Sequence, residues 1–358
     1  MPLTADTKTP ALPPQAVPRD ARKRMDWVDY ARGLAIILVV FRHSLAGMDR
    51  SGLEVPAALW NIQEFVFNFR MPVFFMLSGI FLARSLEKKP AGELVRNKAY
   101  TLLYPYVLWA VIFISIQIAL SGVTNAQRTP RDFLYIITQP RNLDHMWYLL
   151  ALFNTSLLLI ALAPLLLRRP ALHLAAGFGL HMVSFLVKDY SLFSDLLYHY
   201  IFLVIGTVIT KQLFAQKEEV PGKDLRTLLL LTPVFIAGQL AWLHLRPGNL
   251  QMQALFLVIT LVACTFFYFA CRVGYRAGLF RGLVYLGRHS IYIYILHLLV
   301  ISSFRIVSLR LLDLRNVYVL AAASLVLGIA VPLVIYELGK KRGIRYLFTL
   351  EPERKPNG

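Results

Sequence analysis

Apolar residues come along this chain in long blocks separated by short polar stretches. The blocks lie near 27–48, 60–83, 99–121, 146–167, 171–187, 194–213, 227–245, 250–272, 287–309 and 317–338. A helix needs about 20 residues to cross the hydrocarbon core of a bilayer. All the blocks but 171–187 fit that length comfortably. The pattern predicts an all-α, polytopic membrane protein with about ten transmembrane helices in one bundle. An even count puts both termini on one side. Residues 1–24 are polar, rich in proline and end in Arg19, Arg22, Lys23 and Arg24. They read as a disordered basic tail that anchors at a membrane surface. They do not read as a signal peptide, because no small-residue cleavage site follows the first apolar block. Residues 25–340 form the membrane domain and 341–358 a second tail on the same side.

Composition supports this outline. Hydrophobic residues make up 57% of the chain and charged residues 16%, against roughly 45–50% and about 25% in soluble domains. That excludes a disordered chain, a disulfide scaffold and an ordinary soluble enzyme. The formal net charge of +18 raises nucleic acid as a partner. Its distribution removes it. With the N-terminus cytoplasmic, 26 Lys and Arg fall in tails and loops on that side and eight on the other. This is the positive-inside pattern of a bacterial plasma (inner) membrane protein, not one basic face. Cys264 and Cys271 share one block, about 10 Å apart on a helix, so they read as apolar fillers rather than a disulfide. No metal-ligand cluster is visible, and no resident cofactor is expected. No internal repeat or matched pair of broken helices points to an inverted-repeat transporter.

Four basic residues remain inside the blocks: Arg32, Arg42, Arg70 and Arg305. A charge at a helix centre costs about 2.5–3.5 kcal/mol on insertion scales, so such residues face the bundle interior and mark functional sites. Arg32 and Arg305 lie near helix ends and could snorkel; Arg42 and Arg70 lie deeper. In the first block, DYARGLAIILVVFRHS, eleven residues separate Arg32 from His43. That spacing is about 20° past three full turns, so the two share a face about 16 Å apart. Asp29 can pair with Arg32 at i−3. His43 reads either as an interhelical hydrogen-bonding residue or as a general base in its neutral form. The second block, NFRMPVFFMLSGIF, sets Arg70 before Pro72, and Ser78-Gly79 permits close helix contact. His145 to Leu149, with Trp147 and Tyr148, reads as an interfacial aromatic belt or a substrate wall. His297 reads as a core histidine or a substrate contact. The same buried cations and imidazoles would also suit a membrane transporter or glycan flippase.

Together these patches resemble the membrane-bound acyltransferase 3 family. The likeness rests on Arg32-x10-His43, MPVFFMLSG, WYL at 147–149 and LGRHSIYIYILH at 286–297. In detail it is similar to the branch of sugar O-acetyltransferases related to fucose O-acetylases. The resemblance implies transfer of an acyl group, commonly acetyl from acetyl-CoA, to a hydroxyl of a carbohydrate or lipid-linked glycan. His43 would be the catalytic residue and Arg32 its basic partner. Many relatives carry a histidine before the Met-Pro of the second span, where this chain has Arg70. Some carry a fused SGNH hydrolase-like domain, so any acceptor-side partner here is expected to be a separate protein. On this reading Arg32, Arg84, Lys88, Arg96 and Lys98 meet the phosphates of the acyl-CoA. Arg42 or Arg70 stabilises the oxyanion. Asp29, Trp147, Tyr148 and His297 contact substrate, with Trp147 and Tyr148 lining the far-side entrance.

Overall fold

A computed structural model describes residues 25–122, 127–215, 222–245, 250–341 and 344–350. The expected basic tail, 1–24, lies outside them. All regular structure among the described residues is helical, and ten helices are long and apolar enough to cross a membrane. They coincide with the ten apolar blocks to within about four residues, apart from the third, which begins at Ala91, ahead of its block at 99–121.

The helices are α1 (Asp26–Asp49), α2 (Ala57–Phe65), α3 (Phe67–Leu86), α4 (Ala91–Lys98), α5 (Tyr104–Ala119), α6 (Trp147–Leu166), α7 (Pro170–Val183), α8 (Ser191–Ala215), α9 (Lys223–His244), α10 (Leu250–Arg276), α11 (Gly282–Arg288), α12 (Ser290–Arg310) and α13 (Val317–Lys341). Three of the spans are compound. The second joins α2 to α3 through a break at Val66. The third joins α4 to α5 through a π-helical turn, Ala99–Leu103. Pro105 explains that turn: it has no N–H for the Thr101 carbonyl, and its ring crowds the preceding turn. The short block at 171–187 becomes α7 plus a 3₁₀ turn, Ser184–Val187.

α1 runs through the centre, packed against α2, α3, α10, α11, α12 and α13. α3 packs most closely on α8, where glycine allows the backbones to meet. A Cβ on Gly79 would overlap the Leu203 carbonyl, and one on Gly206 the Met76 carbonyl. The close contact expected at Ser78-Gly79 is therefore present, with α8 as the partner. α9 is the most exposed span and is tied in by polar groups. Asn68 and Gln239 exchange amide hydrogen bonds of 2.9 and 3.0 Å, and Asp224 accepts from Arg272 at 2.9 Å and Arg276 at 2.6 Å. Cys264 and Cys271 are buried free thiols. The start of the second tail is not loose. Residues 344–350 fold back on the third span, where Trp109 Nε1 donates to Leu347 O at 2.6 Å and Tyr104 Oη to Tyr346 O at 2.7 Å. Phe348 is buried between Trp109 and Tyr292.

Candidate active site

Three imidazoles from three distant parts of the chain meet in the bundle centre. His43 comes from α1, His145 from the turn before α6, and His297 from α12. Ring centroids are 5.2 Å apart for His43 and His297, 6.0 Å for His43 and His145, and 4.9 Å for His145 and His297. Backbone carbonyls set the tautomers of two of them, because a carbonyl only accepts. His297 Nδ1–H donates to Ile293 O at 3.0 Å and Tyr294 O at 2.8 Å, leaving Nε2 buried without a partner. His145 Nε2–H donates to Ile295 O at 3.2 Å, leaving Nδ1 buried without one. His43 has no protein hydrogen bond among the described residues, and it borders a cavity. No three of the described His, Cys, Asp and Glu residues are grouped to hold a metal ion.

The turn carrying His145 is held on both sides. Asp144 has φ 55° and ψ −110°, a backbone state that costs a non-glycine residue about 1–3 kcal/mol. Its carboxylate accepts from Arg50 at 2.8 Å. Arg141, just before it, makes a bidentate pair with buried Asp195 of α8, the shorter contacts at 2.5 and 2.8 Å. Its guanidinium also lies 4.5 Å over Trp147. Tyr294 Oη donates to His145 O. These contacts hold the imidazole among its neighbours despite the strain.

Two pockets flank this layer from opposite ends of α1. At the Arg32 end, a cavity of about 210 Å³ is lined by Arg32, Ser78, Tyr148, Arg288 and Tyr294, among others. Arg32 pairs with Asp29 at 3.6 Å. Arg288, on α11, reaches Asp26 at 2.9 Å and Asp29 at 3.4 Å. At the other end, a cavity of about 130 Å³ is lined by His43, Arg50, Gln117, Asp144 and Arg305, among others. Tyr294 stands between them: it lines the first pocket, and its ring lies 5.3 Å from that of His145.

The expected site residues are distributed unevenly over this arrangement. His43 and His297 are together, joined by His145, whose patch reads from sequence as an aromatic belt. Asp29 and Arg32 are paired as expected. Tyr148 lines the Arg32 pocket, not the far one, and its ring faces Tyr294 at 5.3 Å. Trp147 packs on His199 at 5.3 Å instead. Arg42 lies 5.1 Å over Trp60, and Arg70 donates to Gln63 at 3.0 Å and Leu38 O at 3.3 Å. Neither lines the two pockets; for Arg42 the reason is that one residue along α1 turns its side chain 100° from His43. Of the cations at 84–98, Lys98 lies close enough to Arg32 for mutual repulsion. Arg84, Lys88 and Arg96 do not line the pocket, and Lys88 and Arg96 are exposed. Arg305, which could snorkel from its place near a helix end, is buried, 6% exposed. Arg288 falls within the LGRHSIYIYILH patch and Asp144 carries no sequence signal beyond its charge; the chain crossings that bring them to the pockets are not readable from spacing.

Comparison with curated proteins and with solved structures gave no match. A family model described as an acyltransferase domain matches residues 25–337, nearly all of the membrane domain. On that match the chain belongs to the acyltransferase 3 family and is a membrane acyltransferase.

Proposed function

We propose that this protein is an O-acyltransferase that moves an acyl group, acetyl first among the candidates, from a cytoplasmic acyl-CoA to a hydroxyl of a carbohydrate or lipid-linked glycan. One observation carries the reading: His43 lies between a basic pocket at one end of α1 and a polar pocket at the other. Arg32 and Arg288 then take the phosphates of the donor, and the slim pantetheine arm follows Ile36, Phe74 and Leu102 toward Tyr294. The acceptor enters from the Arg50 end. His43 removes the proton from the acceptor hydroxyl as its oxygen attacks the thioester carbon. The CoA thiolate leaves and takes that proton from His43. Arg42 and Arg70, which line neither pocket, act on His43 and on the developing oxyanion through space, as charges rather than as hydrogen-bond donors. On the same reading both termini face the cytoplasm and the bundle sits in a bacterial inner membrane; the excess of cations on one set of loops supports this orientation.

The test uses detergent-purified wild type and His43→Ala with acetyl-CoA. We expect thermal stabilisation of both proteins and slow release of free CoA from wild type, with water taking the acyl group in the absence of a glycan acceptor. The variant should release it about 10²–10⁴-fold more slowly. Near-wild-type release by His43→Ala would remove the base from the mechanism. Absence of stabilisation in wild type would point to another donor.

A further inference from the structure

The pocket at the Arg50 end holds a cation that the chain itself does not neutralise. Arg305 lies on α12, inside a membrane span, and is 6% exposed. Among the described residues no carboxylate comes within ion-pair distance of it, and its Nε has no hydrogen-bond partner. The carboxylate of the pocket, Asp144, is already engaged by Arg50 at 2.8 Å and Arg128 at 3.9 Å. The charged residues lining the cavity are Arg50, Asp144 and Arg305, so its wall carries a net positive charge. An arginine is not left unpaired in a low-dielectric span without a use for its charge.

Its location is specific. The guanidinium abuts α1 at Gly47, where a Cβ would overlap Nη1. Gly47 is four residues after His43 on the same helix face, about 6 Å along the axis. A group bound by Arg305 therefore sits about one helical turn from the imidazole that faces the same cavity. Gln117, Ser302 and Ser303 supply further polar side chains in the wall.

We propose that Arg305 forms an oxyanion subsite for the acceptor, binding a phosphate or carboxylate carried close to the hydroxyl that His43 serves. This rests on the acyl-transfer reading above. It narrows the acceptor to an anionic glycan, either a sugar phosphate or phosphate-linked glycan, or one with an acidic sugar. The guanidinium fork suits both anions. Neutral glycans lack the group that would compensate the buried charge.

The test uses the full chain in detergent at fixed ionic strength, with inorganic phosphate, glucuronate and neutral methyl glucoside as separate probes. Wild type should show saturable thermal stabilisation by phosphate or glucuronate and none by methyl glucoside; the stronger of the two anions identifies the source. Arg305→Gln should weaken the apparent anion affinity about tenfold or more, and Arg305→Lys should restore part of it. Gly47→Ala pushes the guanidinium off α1 while keeping its charge, and it should weaken the anion effect even if Arg305→Gln fails to fold. Stabilisation by acetyl-CoA should survive in all three variants. Absence of a saturable anion effect in wild type would overturn the subsite, as would an undiminished effect in Arg305→Gln and Gly47→Ala. An intact anion effect with no response to acetyl-CoA and no CoA release in wild type would uphold the anion site while removing acetyl-CoA as the donor in the acyl-transfer reading.

Discussion

The side chains at the centre of this bundle are oriented by backbone groups more than by each other. His145 and His297 each give one N–H to a carbonyl, so each keeps a bare ring nitrogen in the layer around His43. Tyr294 links the two ends of this arrangement, since its hydroxyl holds the carbonyl of His145 and its ring lines the Arg32 pocket. Tyr294→Phe keeps the ring and removes the hydrogen bond. We expect it to lower stability by about 1 kcal/mol and to slow acyl transfer with little change in acetyl-CoA affinity. Unchanged turnover would mean that the 140–146 turn is held sufficiently by the Arg141–Asp195 pair. The face shared by Arg32 and His43 was legible from their spacing alone. The role of His145 was not, because its partners lie about a hundred and fifty residues away in the chain and no local pattern records that crossing.

At the scale of elements, apolar length placed the ten spans and small residues placed their closest approach. Gly206→Ala should drive a Cβ into the Met76 carbonyl of α3. Backbone cannot yield as a side chain can, so we expect a loss of about 1–3 kcal/mol, read as a lower melting temperature in detergent. Gly92→Ala is the matched control: it is an exposed residue in the first turn of α4 with open space around it. It should leave stability unchanged or raise it by up to about 1 kcal/mol. Equal losses in the two would refute close packing as the reason for Gly206. The breaks inside the second and third spans show where pattern is not enough. Mean apolarity runs straight through Val66 and Leu103, whereas the backbone leaves helical geometry at Val66 (φ −107°, ψ 7°) and widens into a π-turn before Pro105, which has no N–H.

For the whole molecule, the distribution of Lys and Arg predicts the orientation of the bundle. Lys88→Cys should be inaccessible to an impermeant maleimide added outside whole cells, and Arg131→Cys should react; both positions are exposed in the structure. The native Cys264 and Cys271 are buried and give little background. The reverse labelling pattern would invert the topology and, with it, the side from which the donor enters. The segment 344–350 closes the molecule at the third span, and Phe348→Ala should cost about 3–5 kcal/mol if that docking persists in detergent, measured by thermal unfolding. A negligible shift would mean that the segment contributes no packing energy. What the sequence determined by itself was the membrane class, the ten spans, the polar face of α1 and the family signature. Each of these is carried by residues close in the chain, as length, period or spacing. The tertiary structure alone decided that three histidines form one layer, that Tyr148 belongs to the Arg32 pocket, and that Arg305 is buried against Gly47. Those depend on which helices cross and at what register, and in a bundle of apolar helices that choice is made by packing and a few buried polar contacts between residues far apart in the chain.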